Sequence, residues 1–180
     1  MKNYIMHHIN IIIIALRVLI AVAGLMAIFN IGSGILLLIE NDPEAARNFL
    51  DDTFTIPSYH IKEEILFAGA FAILYGILLI YLIYGIIRFY KCLLRIERGK
   101  MFYNEQSEDF RKAGAAVIIF AKAKYLLFSS VGLLLYFDIP VFFKQMLPFL
   151  GVYLTGKLLL VMAYMAEKGE FIQEENELTI

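Results

Sequence analysis

Apolar positions along this chain gather into four long runs, Ile11–Ile39, Ile65–Ile87, Ala113–Phe137 and Leu147–Ala166, with polar stretches between them. A helix rises about 1.5 Å per residue, so roughly 20 residues cross a hydrocarbon core of about 30 Å, and each run reaches that length. The pattern predicts an all-α polytopic membrane protein. Short connections favour neighbours that run up and down, giving a four-transmembrane-helix antiparallel bundle as one membrane domain over residues 1–180.

Local signals add detail. The first run is longer than a straight crossing needs, and Asn30-Ile31-Gly32-Ser33-Gly34 inside it joins a polar side chain to two glycines. A kink or an early exit from the membrane is expected there. Ala68, Ala72 and Gly76 recur every four positions in the second run, a small-residue ridge that lets another backbone approach and should be buried. Asp42-Pro43-Glu44 sets a capping side chain before a proline at a first helical position, which predicts a short surface helix over Pro43–Leu50, with Pro57 ending any regular run.

Composition supports the spans, because 61% hydrophobic residues and a mean hydropathy of +0.72 leave too little polar surface for a soluble domain. Ala21-Val22-Ala23 has the form of a signal-peptidase site, yet the apolar run continues past it and Arg17 interrupts the stretch before it, so a retained first span is expected. Cys92 is the only cysteine, which excludes an internal disulfide; it reads as a juxtamembrane filler in preference to a palmitoylation site.

Charge sets the orientation. Arg88, Lys91, Arg95, Arg98, Lys100, Arg111 and Lys112 crowd the connection 88–112, whereas Glu40–Glu64 carries only Arg47 and Lys62, and the third connection only Lys144. The basic connection is therefore predicted to be cytoplasmic, together with both termini and the tail 167–180, in a bacterial cytoplasmic membrane.

Ionisable residues inside the runs are the place to look for chemistry. They are Arg17, Lys122, Lys124 and Lys157, with no carboxylate among them. That imbalance argues against proton relays and cation pathways, which usually need buried acids or histidines. Arg17, Lys122 and Lys124 are expected to snorkel toward phosphates. Lys157 lies near the middle of its run and needs a hydrated cavity, backbone carbonyls, an anionic headgroup or deprotonation. His60 with Glu63 and Glu64 lacks a recognised metal spacing and reads as solvated loop, so neither a metal nor another cofactor is expected. Paired intramembrane carboxylates, His-Glu-x-x-His, Gly-x-Ser-x-Gly and a phosphate-cradling glycine loop are all missing from the sequence, which argues against an enzyme. With basic residues flanking spans and a net charge of −1, direct nucleic-acid binding is not expected either.

Two charged stripes stand out beyond the spans. Arg88, Lys91, Arg95 and Arg98 fall on one face of a helix continuing from the second span until Gly99 stops it. Glu167, Glu170, Glu174 and Glu177 repeat the spacing after the fourth span, unless Gly169 ends that helix and leaves the tail extended. The basic stripe is expected to meet lipid phosphates or, alternatively, to pair with the acidic tail as a weak, salt-sensitive latch.

Arg98-Gly99-Lys100-Met101-Phe102, followed by Phe110-Arg111-Lys112-Ala113-Gly114, resembles a Gly-Lys-x-Phe signature that precedes the third span of a bacterial four-span membrane family. The end of the chain, Phe171-Ile172-Gln173-Glu174-Glu175-Asn176-Glu177-Leu178-Thr179-Ile180, resembles that family's terminal signature. The family is catalogued as domain of unknown function 2975. Met101 stands where the family commonly has proline and Tyr103 where it has Thr or Ser. The resemblance implies a four-span bacterial protein commonly encoded beside a small helix-turn-helix regulator, and no biochemical activity. The expected role is thus regulatory, with a helix-turn-helix partner held at the inner face by the stripes and Phe102. A small transporter or an export and immunity factor, with a site at the bundle centre near Lys157, is the alternative. Whether copies of the chain associate is not legible in the sequence.

Overall fold

The computed structural model describes residues 2–54, 64–98, 105–136 and 140–178. Among them all regular structure is helical: α1 (Lys2–Glu40), α2 (Pro43–Phe54), α3 (Glu64–Glu97), α4 (Gln106–Tyr136) and α5 (Pro140–Leu178). The four long helices are long and apolar enough to cross a membrane.

Helix boundaries follow local chemistry. Asn41, at a φ of 54°, takes the left-handed conformation that closes α1. The Asp42 carboxylate then accepts hydrogen bonds from the Glu44 and Ala45 amides at 2.9 and 3.4 Å, the cap predicted for α2. Beyond the predicted Leu50, α2 continues to Phe54 because Ala46, Leu50 and Phe54 bury a single face at four-residue spacing. α1 runs unbroken through Asn30–Gly34 as one helix. There the Asn30 side-chain amide donates to the Met26 carbonyl at 2.7 Å, which satisfies one of its N–H groups within the helix.

Both charged ends stay helical. α3 extends to Glu97 with Arg98 in the turn that follows, while Gly99 and Phe102 lie outside the described residues. α5 passes through Gly169 to Leu178, so of the two possibilities open for the tail the helical one is observed. One interior glycine costs only about 1 kcal/mol relative to alanine, and the Ala, Glu, Lys and Gln around it are strong helix formers.

The chain forms two compact units: Met1–Val22, Tyr81–Ile119 and Val152–Ile180 in the first, Ala23–Ile80 and Phe120–Gly151 in the second. In the first, Cys92 and Phe110 are buried with Ala113, Val117, Leu159 and Ala163, so the cysteine does pack as a filler. A Cβ on Gly114 would stand 2.9 Å from the Gly156 carbonyl oxygen, and one on Gly156 3.1 Å from that of Gly114. α4 and α5 meet there backbone to backbone. A Cβ on Gly85 would meet that of Ala116 at 2.6 Å, so α3 approaches α4 closely too.

The second unit is centred on Phe71, 2% exposed, whose ring lies 5.1 Å from that of Phe128 and 5.3 Å from that of Phe54. Ala68 and Ala72 are fully buried, as the ridge reading predicts. A Cβ on Gly34 of α1 would lie 2.8 Å from the Gly69 carbonyl oxygen of α3, and one on Gly76 would strike Ile31 at 2.5 Å.

Candidate functional site

The basic stripe of α3 has an unforeseen partner in the first unit. Asp109, on the first turns of α4, is 7% exposed. Arg88 Nη1 lies 3.4 Å from one of its carboxylate oxygens and Arg95 Nη1 3.3 Å from the other. Two cations from one helical face thus clamp one buried anion on the next helix, a charge-assisted arrangement in which each oxygen has its own donor. The Arg88 guanidinium also lies over the Tyr84 ring, 5.4 Å from its centre. Beside the clamp, Lys112 reaches Glu108 at 2.6 Å across one helical turn. Lys91 and Arg98 remain exposed.

Nothing in the sequence marks Asp109 out from neighbouring acids, because its partners come from across a connection. Of the acidic stripe, Glu167 is exposed, and the side chains of Glu170, Glu174 and Glu177 lie outside the described residues. Phe171 and Ile172 are both 57% exposed on the helical tail. His60 and Glu63 fall outside the described residues, as does the side chain of Glu64.

The cations within the apolar runs separate into different environments. Arg17 hydrogen-bonds the Tyr90 hydroxyl through Nε at 2.8 Å, with its guanidinium 5.5 Å from that ring, so it ties α1 to α3. Lys122 is exposed. Lys157 is exposed on α5 and lies over Tyr153 of the same helix, 5.5 Å from the ring centre. In the second unit Lys124 is half-buried, its ammonium 5.4 Å from the Phe128 ring centre and 5.9 Å from that of Tyr75. An aromatic face compensates a desolvated ammonium by roughly 2 kcal/mol, which favours this inward path.

Tyr75 also borders a groove of about 430 Å³ formed by α1, α2 and α3 within the second unit. Its walls combine the apolar Leu25, Phe29 and Phe71 with the polar Asn30, Thr53 and Tyr75. Sequence reading missed this groove because its lining comes from three helices. Comparison of the chain with family models, curated proteins and solved structures returns no match.

Proposed function

We propose that this chain is a regulatory protein of a bacterial cytoplasmic membrane, which it crosses four times as an antiparallel bundle with both termini inside, and that it holds a cytoplasmic partner at its inner face. The observation that carries this reading is the length of α3 and α5. Each continues about three turns past its last apolar run, and these extensions carry the exposed Lys91, Arg98, Glu167, Phe171 and Ile172. Exposed apolar residues beside both signs of charge suit a protein partner better than a lipid headgroup layer alone. The helix-turn-helix regulator implied by the family resemblance is the partner we favour.

Orientation is tested by labelling single cysteines in a Cys92→Ser background. A membrane-impermeant maleimide is expected to modify Glu44→Cys in intact cells and Arg98→Cys only after permeabilisation; the reverse order overturns the topology. For the partner, a photo-crosslinking amino acid at Lys91 or Phe171 is expected to yield an adduct with a small helix-turn-helix protein. Adducts with lipid alone at both positions would reject the partner reading and leave the stripe as a phosphate contact.

A further inference from the structure

The groove in the second unit has the makings of a ligand site separate from the inner face. Leu25, Met26 and Phe29 belong to the apolar run of α1, yet they are 70%, 44% and 68% exposed, and the buried Phe71 closes the groove behind them. Asn30, Thr53 and Tyr75 bring one polar group each from α1, α2 and α3 to the same space. The Asn30 amide and the Thr53 hydroxyl donate to the Met26 and Phe49 carbonyls of their own helices, both at 2.7 Å. Their oxygens retain the capacity to accept, and the Tyr75 hydroxyl supplies a donor. No charged side chain lines the groove among the described residues.

We propose that this groove binds a neutral amphiphile dissolved in the bilayer, its hydrocarbon chain against Leu25, Phe29 and Phe71, a hydroxyl of its head donating to Asn30 or Thr53 and a hydroxyl or ester oxygen accepting from Tyr75. The volume suits such a guest: a benzene-sized molecule fills an apolar cavity of about 150 Å³, and ligand sites run from about 300 to 1,000 Å³. Charge selects within the class. A carboxylate or phosphate would enter an uncharged lining, and Lys124 is already stacked on Tyr75 and Phe128. Entry is lateral, because the exposed wall belongs to an apolar run that faces hydrocarbon in the membrane placement proposed above, on which this inference rests.

The test uses purified protein in phosphatidylcholine nanodiscs with a diazirine-bearing monoacylglycerol, and with diazirine-bearing fatty acid and phosphatidylcholine in parallel. The monoacylglycerol is expected to label residues within 25–30, 49–53 and 71–75 and to be displaced by its unlabelled form. Tyr75→Phe and Asn30→Leu should each weaken its capture by about fivefold to tenfold, the loss of one hydrogen bond. Equal labelling by phosphatidylcholine would identify ordinary boundary lipid and overturn the proposal. Preferential fatty-acid labelling would overturn its neutral character, and unchanged capture in both variants would overturn the polar contacts. Tyr75→Phe removes a single oxygen atom and carries the comparison alone if Asn30→Leu does not fold. Alkaline carbonate extraction reads membrane insertion separately, so failure of labelling in a chain that resists extraction counts against the groove and not against the membrane placement.

Discussion

Gly34→Leu and Gly114→Leu are each expected to destabilise the protein by about 3 kcal/mol, whereas Gly24→Leu should change stability by less than about 0.5 kcal/mol. All three positions lie inside helices, so propensity alone predicts a gain from replacing glycine, up to about 1 kcal/mol for alanine. What separates them is space. A Cβ at Gly34 or Gly114 meets a carbonyl oxygen of another helix at 2.8 or 2.9 Å, and a backbone atom cannot rotate away as a side chain can. Around Gly24 nothing stands within 4 Å of the same atom. The alanine series sharpens the contrast, since Gly24→Ala should stabilise while Gly34→Ala and Gly114→Ala destabilise. Reversible unfolding of the purified protein in mixed micelles, followed by helix content, measures all six variants. Equal effects at the three sites would mean that the close crossings contribute nothing to the fold.

The double variant Arg88→Met/Arg95→Met is expected to lose considerably more stability than Asp109→Leu, and adding Asp109→Leu to it should restore most of the loss. The asymmetry comes from burial. The two arginine side chains are 37% and 43% exposed and can hydrate once Asp109 is gone, whereas the Asp109 side chain is 10% exposed and would lose both arginine contacts where water reaches it poorly. Removing Asp109 alone sacrifices only ion pairs with partly exposed cations, which contribute little. The same unfolding measurement, extended to the triple variant, tests the coupling. Independent, additive effects of the three substitutions would show that the clamp stores no shared energy.

The clamp also marks how far the sequence can be read. The three-four-three spacing of Arg88, Lys91, Arg95 and Arg98 identifies a helical face, but it carries no information about which carboxylate the fold delivers to that face. A candidate at the far end of the chain and the neighbouring Asp109 look alike on paper. Lys124 poses the same difficulty: its distance from a span end suggests snorkelling, while the rings of Tyr75 and Phe128 that receive it come from two helices. The four long apolar helices and the Asp42 cap were legible because both depend on residues close in sequence. The continuation of α3 over 88–97 was legible from the spacing of its basic stripe, whereas the tail 167–178 was not settled, since its charged residues favour helix without any apolar period to announce it. Gly169 likewise looks like a stop, and only its neighbours' propensities decide that it is not.

Helix continuity gives α5 a mechanical character. From the close crossing at Gly156 to Leu178 the helix is uninterrupted, a stiff rod of about 33 Å. With Gly114 pressed against Gly156 the crossing is a fulcrum, about which a tilt of roughly 5° carries the tip through about 3 Å. A protein grasping Phe171 or Ile172 therefore pulls on a lever and not on a tether, and its load arrives at the glycine contact undiminished by slack.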